Sequence, residues 1–351
     1  MNSGRLRSLS AALLAAVLLA GTAVTAFAAQ AAPSQGGWKP PAAAPGLPAP
    51  VFLYPNGAPG ALGTAEADRP RLYPFMPKTR TTSAAFLVIP GGGYEHVAIG
   101  HEGIQIALWL NAQGIPAFVL DYRVAPYHYP VEIDDGRRAM RIVRQHAAEY
   151  GVDPTRIGVW GSSAGGHLAS SLSTHCEPST LPPPNADATD QVSCKPNFAV
   201  LEYPVISMEK YKTHAGSLRA LLGTDPDPKL VQDYSNENAV NAQTPPTFIF
   251  ATTKDPVVPV ENSLDYYRAL ERNHVSAEIH LYDFANHGCG LCGNIIPLST
   301  WPALLRNWLI GHSIIPPNAP PLPLPQPNLP SWIPGLEGPG AAAQTGAAPQ
   351  K

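Results

Sequence analysis

Charged residues are scarce in this sequence. Asp, Glu, Lys and Arg make up only 14% of its 351 residues, and 23 basic against 26 acidic side chains give a formal net charge of −3. Without a basic excess, the chain has no electrostatic attraction to a nucleic-acid backbone or an anionic membrane surface. We therefore expect no nucleic-acid partner, and the sequence leaves the oligomeric state open.

Long hydrophobic runs are also lacking. The most apolar stretch, residues 9–20, is shorter than the roughly 20 residues that a transmembrane helix needs, so we expect no stable membrane insertion. It follows Arg5 and Arg7 and precedes small-x-small sites at residues 26–28 and 29–31, a pattern typical of a secretory signal peptide. We predict a signal peptide at residues 1–31 and export to the periplasm or the extracellular space, with an uncleaved signal anchor as the alternative.

Only four cysteines are present. Cys176 and Cys194 bracket a proline-rich insertion, and Cys289 and Cys292 form a C-x-x-C pair. Four cysteines allow three pairings, among which sequence alone does not choose; for an exported protein we favour disulfides between 176 and 194 and between 289 and 292. A redox role would require a strand and a helix around C-x-x-C, and a zinc site would require four ligands, so both are the weaker interpretations.

Proline, in contrast, is abundant, and much of it lies near the two ends. Residues 33–50 and 316–351 are dominated by Pro, Ala and Gly, with too little apolar periodicity to offset the entropy of ordering. We predict a Pro/Ala-rich linker at residues 32–50, a folded domain at 51–315 and a disordered Pro-rich tail at 316–351.

Short apolar runs alternate with longer amphipathic stretches between these ends. The runs predict strands at residues 85–89, 117–122, 157–160, 198–203, 247–251 and 277–282. The amphipathic stretches predict helices at residues 103–111, 133–150, 164–174, 261–273 and 300–311. This alternation indicates an α/β domain with a mainly parallel sheet flanked by helices, in which ligands bind at the carboxyl ends of the strands.

The strongest chemical signal is a G-x-S-x-G motif, Gly161-Ser162-Ser163-Ala164-Gly165, between a predicted strand and a predicted helix. In that context the central serine lies on a sharp turn that exposes its hydroxyl as a nucleophile. The alternative is an ordinary tight turn in which the serines cap the helix. We predict that Ser163 is the nucleophile.

A serine nucleophile needs a base and an acid that orients the base, expected in the chain order serine, acid, histidine. Asp255 follows the strand at 247–251 in a loop stiffened by two prolines, and His287 follows the last predicted strand. We predict Asp255 as the acid and His287 as the base. Weaker candidates for the acid are Asp283, Asp225 and Asp227, and the histidines at 167, 175, 274 and 280 are interpreted as helix, surface or strand residues.

Fixed backbone donors must also stabilise the oxyanion of the reaction. The run Pro90-Gly91-Gly92-Gly93-Tyr94 leaves the first predicted strand, and neither phosphate-binding glycine pattern occurs in it. We assign the amides of Gly92, Gly93 and Ala164 to the oxyanion hole, without deciding which glycine of 91–93 points inward.

At these residues the chain resembles the α/β-hydrolase fold and, within it, the bacterial carbohydrate-esterase group that includes acetyl xylan and feruloyl esterases. The resemblance covers about residues 51–311, and it rests on 90–94, His101-Glu102-Gly103, Leu120-Asp121-Tyr122-Arg123, Asp153-Pro154, Arg156-Ile157, 161–168, 255–263 and His287-Gly288. It implies the same catalytic and oxyanion-hole residues, and a sugar ester as substrate. One departure is Cys289-Gly290-Leu291-Cys292, where relatives often carry an aromatic residue and then glycine.

Together these features predict an exported serine esterase that uses an acyl-enzyme and needs no metal or cofactor. Its partner would be a small-molecule or oligosaccharide ester; the alternatives are a general short-chain carboxylesterase and a catalytically silent binding module. Tyr94, Tyr203 and Met208 are candidates for the substrate pocket, with core packing as the other interpretation.

Overall fold

Eight strands form one sheet in the computed structural model, which describes residues 47–176 and 187–319. The strands are β1 (Val51–Phe52), β2 (Arg71–Phe75), β3 (Ala85–Ile89), β4 (Ala117–Asp121), β5 (Ile157–Ser162), β6 (Ala199–Glu202), β7 (Thr247–Thr252) and β8 (Ala277–Tyr282). The helices are α1 (Gln105–Ala112), α2 (Val131–Gln145), α3 (Ala164–Thr174), α4 (Ala215–Leu222), α5 (Pro228–Asp233), α6 (Glu261–Arg272) and α7 (Trp301–Gly311), and a π-helix (Gly100–Ile104) leads into α1.

The order of the strands in the sheet is β1, β2, β4, β3, β5, β6, β7, β8. The strands from β4 through β8 are parallel, and β1 and β2 are antiparallel additions next to β4. Between β4 and β5 the chain crosses from one side of β3 to the other, so β3 and β5 flank a topological switch point, where ligands bind in such sheets.

Helices cover both faces of the sheet because its central strands are apolar on both sides. All five residues of β3 are buried; Leu87 and Ile89 belong to one core cluster and Phe86 and Val88 to the other. Helices α2, α3 and α6 contribute to the first cluster, and α1 and α7 contribute to the second. The predicted α/β class with a mainly parallel sheet is therefore confirmed.

The antiparallel strands β1 and β2 are absent from the sequence prediction. Strand β1 has only two residues, and β2 contains Pro74, which argues against a strand in a sequence pattern. In the structure, β1 pairs with Arg71 and Leu72 of β2 and does not reach Pro74. Pro74 therefore has β4 on one side and no paired strand on the side where β1 lies. A proline is tolerated at such an edge because no ladder hydrogen bond is lost there.

No helix in the described ranges is long and apolar enough to cross a membrane. The predicted signal peptide, most of the predicted linker and the predicted tail from residue 320 onward lie outside the described residues. Both favoured disulfides are present in the structure, one between Cys176 and Cys194 and one between Cys289 and Cys292.

Candidate active site

The turn between β5 and α3 holds Ser163 in a strained conformation. Its backbone angles are φ 52° and ψ −121°, in a region that side-chain-bearing residues rarely occupy. A Cβ atom on Gly161 would lie 2.3 Å from the carbonyl oxygen of Gly165, and one on Gly165 would lie 2.1 Å from the carbonyl oxygen of Ile89. The two glycines of the motif are therefore required for the close approach of β5, α3 and the end of β3.

Sheet register brings the other loops to this turn. Ile89 at the end of β3 pairs with Gly161, so the glycine run that follows Ile89 lies beside Ser163. At the other end of the parallel region, Thr252 of β7 pairs with Tyr282 of β8, and the loops that follow are joined by a 3.1 Å hydrogen bond from the Lys254 amide to the Phe284 carbonyl oxygen. The loops that carry Asp255 and His287 are thus neighbours.

Ser163, His287 and Asp255 form one hydrogen-bonded chain. The Ser163 hydroxyl lies 2.8 Å from His287 Nε2, and His287 Nδ1 lies 2.7 Å from Asp255 Oδ2. An ionised carboxylate only accepts hydrogen bonds, so a neutral His287 carries its proton on Nδ1 and presents the Nε2 lone pair to the serine hydroxyl. This arrangement allows the imidazole to remove the hydroxyl proton.

Asp255 also fixes its own loop. Its Oδ1 atom accepts hydrogen bonds from the amides of Val257 and Val258, at 2.8 and 2.9 Å, while Oδ2 faces the imidazole. Asp255 therefore both stabilises the backbone of its own loop and contacts His287. The weaker acid candidates lie elsewhere: Asp283 is exposed and ion-paired with Lys254 at 2.7 Å, Asp227 caps α5, and Asp225 is exposed.

The glycine run 91–93 contacts Ser163, and the amide of its first residue, Gly91, already donates a hydrogen bond. A Cβ atom on Gly91 would lie 2.8 Å from Ser163 Cβ, and the Gly91 amide donates to Glu102 Oε2 at 2.8 Å. Gly92 and Gly93 follow with φ values of 119° and 69°, which favour glycine. Within the described ranges, no backbone hydrogen bond uses the amides of Gly92, Gly93 or Ala164. Gly92 and Gly93 are therefore the glycines whose amides are available to an oxyanion.

Glu102 connects this loop to the segment that follows His287. Its Oε1 atom accepts a 2.9 Å hydrogen bond from the Tyr203 hydroxyl, which in turn accepts a 2.7 Å hydrogen bond from the Gly290 amide. The Tyr203 ring packs edge-on against His287, with 4.9 Å between ring centroids. Glu102 and Tyr203 thus connect the glycine run 91–93, His287 and the Cys289–Cys292 disulfide loop in one network.

The three residues predicted for the substrate pocket are buried. Tyr94 and Met208 are 0% exposed and Tyr203 is 1% exposed, which favours core packing, the other interpretation of these residues. Tyr94 donates a 2.8 Å hydrogen bond to His167 Nδ1, while His167 Nε2 donates to the Tyr234 carbonyl oxygen. Aromatic side chains dominate cores by their buried area, and these hydroxyl groups find partners there. Tyr203 affects the site through its contact with His287.

A second buried carboxyl group, that of Glu202, lies next to the turn that carries Ser163. Glu202, at the end of β6, is 0% exposed and accepts a hydrogen bond from the hydroxyl of Ser162, while its backbone carbonyl accepts one from the Ser163 amide. Burial raises the pKa of Glu202 to about 8, and the nearby charge of Glu102 acts in the same direction. Glu202 is therefore a protonated, neutral support of the turn at pH 7.

Glu202→Gln is expected to change how stability depends on pH. The folded protein keeps the Glu202 proton up to about pH 8, whereas an unfolded chain releases it near pH 4.5. Folding therefore takes up a proton between these values, and the free energy of unfolding of the wild type falls as pH rises through them. Glutamine has no such proton, so the stability of the variant lacks this dependence on pH. The difference in free energy of unfolding, variant minus wild type, should therefore increase by about 3 kcal/mol from about pH 5 to pH 8. Urea unfolding at each pH measures it.

Glu271→Gln is the matched control, because Glu271 is exposed on α6. Its free energy of unfolding should follow that of wild type across the same range. A Glu202→Gln variant whose stability runs parallel to that of wild type from pH 5 to pH 8 would contradict a neutral buried Glu202.

The sequence prediction missed Glu202 altogether and included Glu102 only within the motif that carries the family resemblance. One signal for Glu202 exists in retrospect, since an acidic residue ends an otherwise apolar buried strand. Nothing near Glu102 in the sequence indicates its partners, because Tyr203 lies 101 residues away along the chain.

Residues 74–270 match the family described as BD-FAE, a range that includes Ser163 and Asp255. An acetylxylan esterase of Xylanibacter ruminicola is 34% identical over 233 residues, and an endo-1,4-beta-xylanase B of Butyrivibrio fibrisolvens is 35% identical over 224 residues. The alignments cover 65% and 62% of this chain but only 45% and 34% of those relatives, so the matched region spans less than half of each.

A solved structure agrees with most of this chain in both sequence and fold. The acetyl ester-xyloside bifunctional hydrolase from Caldicellulosiruptor lactoaceticus is 41% identical, with a TM-score of 0.71, over 76% of this chain and 97% of that one. A thermophilic esterase from Thermogutta terrifontis is 26% identical, with a TM-score of 0.58 over 76% of this chain and 96% of that one. This chain therefore belongs to the BD-FAE family and has the α/β-hydrolase fold.

Proposed function

We propose that this protein is a serine esterase that cleaves acetyl or feruloyl esters of xylan-type polysaccharides. The observation that carries the proposal is the hydrogen-bonded chain from Ser163 Oγ through His287 to Asp255, with distances of 2.8 and 2.7 Å. These residues are far apart in the sequence, and an accidental juxtaposition would not be accompanied by a strained serine and a glycine loop at the same strand ends.

The mechanism follows from the positions of these groups. His287 takes the proton of Ser163 as the hydroxyl oxygen attacks the ester carbonyl, and Asp255 holds the imidazole in the required tautomer and stabilises its positive charge. The amides of Gly92, Gly93 and Ala164 donate to the oxyanion of the tetrahedral intermediate. His287 returns the proton to the departing alcohol, after which water repeats the sequence on the acyl-enzyme and releases the acid.

The substrate class is supported by the relatives. One relative is named an acetylxylan esterase and the similar solved structure is described as an acetyl ester-xyloside bifunctional hydrolase, so both names include an acetyl ester together with xylan or a xyloside. The strained serine turn and the short glycine loop add nothing about the alcohol, so the choice of sugar rests on these likenesses.

Acetate release from acetylated xylan, together with turnover of p-nitrophenyl esters of increasing acyl length, tests the proposal. We expect acetate release and a rate that falls from acetyl to octanoyl esters. A rate that rises with acyl length would favour a lipase-like carboxylesterase, and absence of turnover on every ester would favour a binding module.

We also propose that the protein is exported. The proposal is supported by the signal-peptide pattern at residues 1–31 and by the two disulfides, since disulfides persist in oxidising compartments. Mass spectrometry of the protein from its native cells should show a chain lacking about the first 30 residues. A mature chain that starts at residue 1 would contradict cleavage.

A further inference from the structure

A second histidine lies beside the oxyanion loop. His214 is half-buried and directly precedes α4, and its Cε1 atom lies 3.7 Å from the position that a Cβ atom would take on Gly93. Gly216 leaves room for the ring, because a Cβ atom there would lie 2.7 Å from His214 Cε1 and 3.2 Å from Nε2. The imidazole therefore borders the loop to which we assign oxyanion stabilisation.

The orientation and tautomer of this ring are fixed by α4. His214 Nδ1 accepts a hydrogen bond from the Ser217 amide at 3.2 Å and lies 3.0 Å from the Ser217 hydroxyl. Because a backbone amide can only donate, Nδ1 of the neutral ring carries no proton, and the proton resides on Nε2. Within residues 47–176 and 187–319, Nε2 has no hydrogen-bond partner.

The surroundings of this ring disfavour its charged form. Burial lowers the pKa of His214, and the positive charge that His287 acquires acts in the same direction. A neutral Nε2–H group at this position donates a hydrogen bond without repelling the imidazolium that forms during catalysis.

We propose that His214 is a specificity-determining residue whose Nε2–H donates a hydrogen bond to a hydroxyl group of the sugar that bears the ester. This proposal rests on the proposed esterase function. The amides of Gly92, Gly93 and Ala164 already provide donors for the carbonyl oxygen, so a further donor at the edge of that loop is left for the alcohol portion of the substrate. A site built to bind a hydroxyl group discriminates strongly against an ester that lacks one.

His214→Asn separates this role from capping of α4. Asparagine is a preferred N-cap residue, so its side-chain oxygen can accept the Ser217 amide while the Nε2–H donor is removed. His214→Ala removes both functions. For each variant, kcat/KM is measured for an acetylated xylo-oligosaccharide, which carries free sugar hydroxyl groups, and for p-nitrophenyl acetate, which carries none.

We expect the ratio of kcat/KM for the sugar ester to that for p-nitrophenyl acetate to fall about tenfold in both His214 variants, as for loss of one hydrogen bond. His146→Gln is the control, because His146 pairs with the exposed Glu149 at 2.8 Å, and its ratio should equal that of wild type.

Three outcomes would overturn the proposal. In the first, kcat/KM falls equally on both substrates in the His214 variants. In the second, the Asn variant keeps the wild-type ratio while the Ala variant has a lowered one. In the third, the wild-type enzyme cleaves p-nitrophenyl acetate but no sugar ester. Failure of the esterase function itself is recognised separately, by wild-type turnover of p-nitrophenyl acetate that does not exceed turnover by Ser163→Ala.

Discussion

Ser163→Ala is expected to lower kcat for acetyl ester hydrolysis by at least about 10⁴-fold. The substitution removes the hydroxyl oxygen that we propose forms the acyl-enzyme, so the amides of Gly92, Gly93 and Ala164 would have no covalent intermediate to stabilise. The side chain is only 7% exposed, and alanine has no bulk to clash, so the fold should be retained. Steady-state turnover of p-nitrophenyl acetate gives kcat, and circular dichroism reports the fold.

Ser193→Ala is the control for that measurement. Ser193 is an exposed serine whose hydroxyl oxygen accepts a 3.2 Å hydrogen bond from the Lys195 amide, two residues further along the chain. Its kcat should match that of wild type. Turnover by a folded Ser163→Ala variant within tenfold of wild type would mean that another group is the nucleophile.

Asp255→Asn is expected to lower kcat by about 10⁴-fold with little change in fold. An asparagine oxygen can keep the hydrogen bonds from the amides of Val257 and Val258, so the loop stays in place. Its amide group then faces His287 and can only donate, which forces the imidazole to carry its proton on Nε2. The Ser163 hydroxyl consequently loses its acceptor.

Asp283→Asn separates this effect from a general loss of negative charge near the base. Asp283 lies four residues before His287, and its side chain is 74% exposed and paired with Lys254. We expect a kcat close to that of wild type for this variant. A large loss for Asp283→Asn, with near-normal kcat for Asp255→Asn, would exchange the roles of the two carboxylates.

The parallel sheet was predictable because its signals are local. A strand buried on both faces requires a continuous apolar run, and β3, β5 and β7 each show one. Boundaries were predicted less accurately. Helix α2 ends at Gln145 rather than at residue 150, and residues 103 and 104, predicted as the start of a helix, belong to the π-helix that precedes α1. The edge strands β1 and β2 were missed because a two-residue strand and a strand with a proline carry no periodic signal.

The hydrogen-bond partners of residues in distant segments could not be predicted. Glu102, Tyr203 and Gly290 belong to three separate segments, and only their meeting at the strand ends gives each a partner. His214 is similar, since a histidine before an amphipathic helix indicates a cap and gives no indication of the oxyanion loop beside it. The roles assigned to His214, Ser163 and Asp255 are tested by the substitutions above.

The sequence by itself determined the α/β class, and it predicted a sharp turn at Ser163 with Asp255 and His287 as candidate acid and base, because each signal depends on residues within a short stretch. Only the tertiary structure decided which glycine amides are available, that Tyr94, Tyr203 and Met208 are core residues, and that two buried glutamates support the site. The physical reason is that burial and hydrogen bonding depend on what the other strands bring to the same sheet edge. The register of β3 with β5 and of β7 with β8 sets those neighbours, and no local pattern encodes it.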